Sequence, residues 1–153
     1  MIMKMNKKGV TLIELIIVFA IIAIGAVLAV PNFGPWLANY RLRTATRDIT
    51  STLRTAQMRA VSNNSDYGVS FTEGIGNAAS YVLQRNTGGG FFNDGTTQTL
   101  PTGISISTNS NPLTFSPNSS SNGGTVTLTN TKGSQSQRAI TVLLSTGRIT
   151  ILQ

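Results

Sequence analysis

The chain contains no cysteine and no histidine, only 5 acidic residues against 12 basic ones, and a single tryptophan. Without cysteine there is no disulfide staple and no thiol nucleophile. Without histidine as well, zinc fingers, imidazole-based triads and c-type haem attachment are excluded. An enzyme built on what remains would need paired carboxylates or a Ser, Lys or Thr nucleophile. Charge is scarce too: 11% of the residues are charged and 40% are hydrophobic. At 153 residues the chain suits one domain, or one domain plus an anchor, and is too short for two ordinary ones.

The apolar residues are unevenly placed. Residues 10–30 read VTLIELIIVFAIIAIGAVLAV, with Glu14 as the only charge. A helix of that length, rising ~1.5 Å per residue, spans roughly 31 Å, close to the ~30 Å hydrocarbon core of a bilayer. It reads as a membrane-spanning segment. Lys4, Lys7 and Lys8 precede it, so the positive-inside rule places that end in the cytoplasm and the bulk of the chain across the membrane. A cleaved secretory signal peptide shares the basic start, and Ala23-Ile24-Gly25 offers a small-x-small site. The run, however, exceeds the ~7–15 residues of such an apolar region and carries a carboxylate near its beginning. A carboxylate at the bilayer centre costs ~2.5–3.5 kcal/mol on insertion scales. Glu14 needs a cation.

Lys7-Lys8-Gly9-Val10-Thr11-Leu12-Ile13-Glu14-Leu15, followed by an unbroken apolar run and then Pro31, closely resembles the class III signal of type IV pilins and type II secretion pseudopilins. The resemblance implies that a prepilin peptidase cuts between Gly9 and Val10 and methylates the new N-terminus at Val10. Glu14 then becomes the fifth mature residue and Pro31 the twenty-second, where the family places them. Val10 is a departure, since the residue after the cut is usually Phe. The physics of the motif stands beside the resemblance. Losing Lys4, Lys7 and Lys8 lowers the net charge from +7 to +4 and creates an ammonium at Val10, the cation Glu14 lacks. A neighbouring subunit's amine could pair with Glu14 in low dielectric, where truncating one partner of an ion pair costs ~3–5 kcal/mol. Glu14 then acts as a register pin for stacking helices into a filament.

Beyond the apolar run, Pro31 and Pro35 lack backbone donors and Gly25 and Gly34 loosen the chain, which predicts a kinked or partly melted helix near 31–35. Leu42, Ala45, Ile49, Leu53, Ala56 and Ala60 then recur at helical spacing, with Arg43, Arg47 and Arg54 on another stripe. This predicts an amphipathic helix ending near Ser62-Asn63-Asn64. From residue 65 onward short alternating runs are punctuated by Ser, Thr, Asn and Gly: Val69/Phe71, Tyr81/Leu83, Ile104/Ile106, Leu113/Phe115, Val126/Leu128, Ile140/Val142 and Ile149/Ile151. Period-two spacing of this kind predicts antiparallel strands forming a sheet that covers the helix. Gly88-Gly89-Gly90 and Gly123-Gly124 lack the context of a phosphate loop and read as hairpin or mobile loops.

The later blocks sharpen the resemblance. Leu100-Pro101-x-Gly103-Ile104, Leu113-Thr114-Phe115-Ser116-Pro117, Gly123-Gly124-Thr125-Val126-Thr127-Leu128-Thr129-Asn130 and Arg138-Ala139-Ile140-Thr141-Val142, leading to Thr146-Gly147-Arg148-Ile149, resemble the GspH/FimT-like pseudopilin domain. The expected fold is α+β and pilin-like: a long N-terminal helix, half transmembrane and half amphipathic, packed on a small antiparallel β domain. The expected parts are a leader (1–9), a transmembrane or filament-core helix (10–30), its kinked amphipathic continuation (31–63) and a periplasmic β domain (64–153).

The resemblance implies a minor subunit near the tip of a type II secretion pseudopilus or type IV pilus. Its expected partners are prepilin peptidase, other pilins or pseudopilins and an inner-membrane assembly platform. The alternative is DNA capture during natural transformation, where FimT-like relatives use a Gly-Arg-x-Arg element. Here Gly147-Arg148-Ile149-Thr150 lacks the second Arg, leaving Arg148, Arg138 and Lys132 as phosphate contacts and Tyr67, Tyr81, Phe91 and Phe92 as exposed stacking rings. Nucleic acid is the less favoured partner. The remaining acids, Asp48, Asp66, Glu73 and Asp94, form no recognisable acid/base site or metal-binding loop even if Asp66 and Glu73 are paired. No catalytic residue, metal or cofactor is expected.

Overall fold

In the computed structural model, which describes residues 9–29, 33–132 and 136–152, the apolar run forms one helix, α1 (Leu12–Ala29). Thr11 opens it. Its carbonyl accepts the Leu15 N–H at 3.2 Å, and its hydroxyl accepts the Glu14 N–H at a long 3.4 Å. Leu12, Ile13, Leu15, Ile16, Ile17, Val18, Phe19, Ile21, Ile22 and Ile24 are each at least 50% exposed. A helix apolar on all sides has no polar face to turn to water and requires apolar surroundings. Its 18 residues rise about 27 Å against the ~30 Å of a hydrocarbon core. Among the described residues, no helix is long and apolar enough to cross a membrane. Val10 and Thr11 precede the helix, and Val30 and Pro31 lie outside the described residues.

The chain divides into two units at Phe33 and Gly34, and the second is built on α2 (Phe33–Ser62). Pro35 sits in the first turn of α2, where its missing N–H has no intrahelical partner to lose. Leu42, Ala45, Ile49, Leu53, Ala56 and Ala60 are all buried. Each of the larger ones contributes about 1.5–3 kcal/mol relative to exposure. Thr46 and Thr50 are buried on the same face, and their hydroxyls donate to the carbonyls of Leu42 and Thr46, both at 2.7 Å. That bond lets a polar residue enter the core without an orphaned donor. The helix ends where Asn64 takes a left-handed conformation (φ 48°) and the Ser65 N–H reaches back to the Ala60 carbonyl at 3.3 Å. This is a Schellman-type stop.

The strands are β1 (Tyr67–Thr72), β2 (Gly74–Ile75), β3 (Ser80–Asn86), β4 (Phe91–Asn93), β5 (Gln98–Thr99), β6 (Ile104–Thr108), β7 (Leu113–Phe115), β8 (Gly124–Asn130), β9 (Gln137–Val142) and β10 (Ile149–Leu152). They form two antiparallel sheets rather than the single one expected. One runs β4-β3-β1-β7, with β5 also on β3, and the other runs β10-β9-β8-β6-β2. The chain changes sheets at Glu73, between β1 and β2. Both sheets present an apolar face and each must bury it, so they share one core with α2. The register aligns the alternating rows: Val69 faces Leu83 and Leu113, Phe71 faces Tyr81, Ile106 faces Leu128, and Val126 faces Ile140. Where β1 outruns β7, the Asn111 side chain substitutes for a strand. Its Oδ1 accepts the Phe71 N–H at 2.9 Å and its Nδ2 donates to the Phe71 carbonyl at 2.7 Å.

Candidate functional site

The N-terminal segment places Gly9, Val10 and Glu14 close along the chain. Gly9 and Val10 are exposed and non-helical, directly ahead of α1. An unstructured peptide bond is what a protease needs, because a helical one is closed by its own hydrogen bonds. Glu14 lies in the first turn of α1 and is its only charged residue. The positive end of the helix dipole favours a carboxylate there, and the Thr11-x-x-Glu14 spacing is that of a capping box. The side chain is exposed, so a partner outside this chain can reach it. Lys4, Lys7 and Lys8 lie outside the described residues.

Of the three cations expected to form a basic patch, Arg138 and Arg148 are not brought together. Val142 pairs with Ile149. Arg138 lies four residues before Val142 and Arg148 one residue before Ile149, which separates them by about five strand steps, roughly 17 Å. Arg138 has the same parity on β9 as the buried Ile140 and Val142, which turns it toward α2 at the end of the core row. There it lines a cavity of about 200 Å³ with Asn39, Leu42, Arg43, Ser136 and Gln137. Lys132 lays its aliphatic stem against Gly103, within 3.3 Å of where a Cβ would stand. Arg148 is exposed in the turn before β10. Alternation along β9 was the signal that could have placed Arg138 on the core side of its strand.

The aromatic residues also depart from expectation. Tyr67 and Tyr81 are 2% and 7% exposed, because each continues a core row, Tyr67 with Val69 and Phe71 and Tyr81 with Leu83. The Tyr67 hydroxyl accepts a hydrogen bond from Asn63 Nδ2 at 2.7 Å. Burial raises the Tyr81 phenol above its ordinary pKa; the Asp48 charge adds to the rise and a Thr52 hydrogen bond opposes it. Of the four rings expected to be exposed, Phe91 is half-buried and Phe92 remains open to solvent.

The acids are dispersed. Asp66 and Glu73 flank the two ends of β1, about 23 Å apart along a strand, and cannot act as a pair. A Glu73 oxygen instead accepts the Thr108 N–H at 2.8 Å. Asp94 pairs with Arg59 at 2.6 Å, with side chains 36% and 44% exposed, which holds the contribution to about 0–1 kcal/mol. Among the described residues no group of three or more metal-ligating side chains gathers. The arrangement offers an exposed, non-helical N-terminal segment, one carboxylate on an apolar helix, and a β unit packed on α2.

A family model described as type II transport protein GspH matches residues 45–147, and a prokaryotic N-terminal methylation motif matches residues 4–30. No curated protein matches the chain in sequence. Among solved structures, the type IV minor pilin FimU of Pseudomonas aeruginosa superposes with a TM-score of 0.62 at 15% identity, over 78% of this chain and 93% of that one. The minor pseudopilin EpsH from the type 2 secretion system of Vibrio cholerae gives 0.59 at 14% identity, over 73% and 96%. A second crystal form of FimU gives 0.57 at 14% identity, over 72% and 92%. These likenesses show a shared fold.

Proposed function

The chain belongs to the GspH family of type II transport proteins, and we propose that it is a minor pilin-like subunit whose work is structural. On this reading it is made as a precursor, anchored in the inner membrane by the apolar helix with its β unit in the periplasm. Prepilin peptidase cuts between Gly9 and Val10 and methylates Val10. The assembly platform then adds the subunit, through its N-terminal helix, to the pilus-like fibre of a type II secretion or type IV pilus system.

The observation that carries this reading is Glu14, the one charge on a helix that is apolar on every side. In apolar surroundings an unpartnered carboxylate is strongly disfavoured. Leader removal from an adjacent subunit supplies an ammonium at the matching depth, so pairing rewards one axial register over others.

The test is Glu14→Ala in the source cell. The variant is expected to insert in the membrane and lose its leader normally, yet to be missing from isolated fibres. Normal incorporation would sink the pairing argument. DNA capture is not favoured, because Arg138 and Arg148 stand at opposite ends of the β9–β10 hairpin.

A further inference from the structure

The start of α2 carries an exposed aromatic face. The Trp36 and Tyr40 rings stack with centroids 5.9 Å apart and planes 14° from parallel. They are 67% and 58% exposed, and Leu37 beside them is 39% exposed. These positions lie one helical turn apart on the same side of α2. Arg43 and Arg47 continue that side and are exposed. No acid occurs from Phe33 to Arg47, so the charge on this stretch of α2 is entirely positive. A water-facing helix has no use for a stacked indole and phenol at its tip, and both rings are absent from the core.

Three features select the occupant of this face. Tryptophan and tyrosine have apolar bodies and polar tips, and they concentrate where hydrocarbon meets headgroups. Arginines beside them complement anionic phosphates and can extend their charge outward while their stems stay in apolar surroundings. The chain itself holds the face close, since Trp36 is seven residues beyond the end of α1 and can lie at most about 25 Å from it.

We propose that Trp36, Leu37 and Tyr40, flanked by Arg43 and Arg47, form an interfacial anchor that seats the start of α2 in the headgroup layer of a phospholipid bilayer. This rests on the membrane reading of α1 given above and adds a second attachment with its own depth. It gives the β unit a defined height at the membrane surface before assembly.

The test uses the sole tryptophan, whose emission reports on position 36 alone in the intact chain. The full chain is reconstituted in phosphatidylethanolamine/phosphatidylglycerol vesicles, with bromines placed either near the headgroup end or near the methyl end of the acyl chains, and iodide is added outside. Blue-shifted emission, quenched more by the shallow bromines than the deep ones and partly shielded from iodide, is expected. Emission untouched by bromines and open to iodide, in a chain that still resists alkaline extraction, would overturn the anchor and leave the membrane reading standing. Shielding from iodide without bromine quenching would overturn it in favour of a protein partner. Extraction of the chain by alkali would instead refute the membrane reading, and the anchor with it.

Discussion

Gly147 lies in the Thr146-Gly147-Arg148 turn before β10, and the structure makes its replacement costly in a way that can be worked out and measured. Its φ of 59° is left-handed, which costs an L-residue with a side chain roughly 1–2 kcal/mol. It is also buried, with its N–H donating to the Leu143 carbonyl at 2.9 Å and its own carbonyl accepting from Gln57 Nε2 at 3.3 Å. A Cβ here would collide with the Ser119 carbonyl oxygen and come within 2.9 Å of Gln57 Nε2. Backbone oxygen cannot swing aside, so overpacking adds about 1–3 kcal/mol. Gly147→Ala should therefore lose about 2–5 kcal/mol in all. Gly88 provides the control, with φ 87° but nothing within 4 Å of its Cβ position. Gly88→Ala should show the backbone strain alone, about 1–2 kcal/mol. The assay is urea unfolding of the full chain in detergent micelles, followed by the near-ultraviolet circular dichroism of the buried Tyr67 and Tyr81. The shift in midpoint is compared at constant m. If Gly147→Ala is no worse than Gly88→Ala, the turn is not wedged against Ser119 and the reasoning fails.

Three further outcomes are expected. Leu53→Ala, at a position 0% exposed on the buried face of α2, should lower stability by about 2–5 kcal/mol in the same assay; a loss under about 1 kcal/mol would mean that the helix is not seated as described. Because the Tyr81 phenol is held above its ordinary pKa, chiefly by burial, its contribution to stability is complete below the unfolded value of about 10 and is lost as pH rises through the higher folded value. Tyrosinate absorbance during alkaline titration should show a late-ionising component, together with unfolding, and a Tyr81→Phe chain should show less of it. Duplex DNA should bind weakly at physiological salt, with Arg148→Ala changing the log–log salt slope by no more than about 1; tight binding abolished by that substitution would reinstate nucleic acid as the partner.

Legibility in the sequence followed the strength of periodicity. The α2 face was readable because Leu42 through Ala60 repeat without interruption. Thr46 and Thr50 were not, because a hydroxyl looks polar until its bond to the carbonyl one turn earlier is known. Strands with two core residues in alternation were readable, whereas β2, β4 and β5 have three residues or fewer and no period to detect. Tyr67 is buried although residue type suggests a surface ring, and it stands two residues from the predicted core position Val69; Tyr81 fits its alternation with Leu83 and not the surface reading. Spacing outweighs residue type at both positions. The second sheet was invisible because no local pattern reports which strand a chain joins after a one-residue switch at Glu73.

Charge divides along the same line. The excess of 12 basic over 5 acidic residues is a property of composition, and recognition of a polyanion depends on how many cations meet it at once. Folding sorts them: Arg43 and Arg138 share a cavity, Arg41 Nη1 donates to the Thr102 carbonyl at 3.3 Å next to the Gly103 on which Lys132 packs, Arg59 is held by Asp94, and Arg148 stands at the far end of the hairpin. None of that separation is written in local sequence. The role proposed for Glu14 is the opposite case, because it is argued from the immediate neighbours of that residue on α1 and not from any arrangement of the β unit. A function that rests on one charge in an apolar helix is therefore legible from residues alone, whereas one that rests on a patch has to wait for the fold.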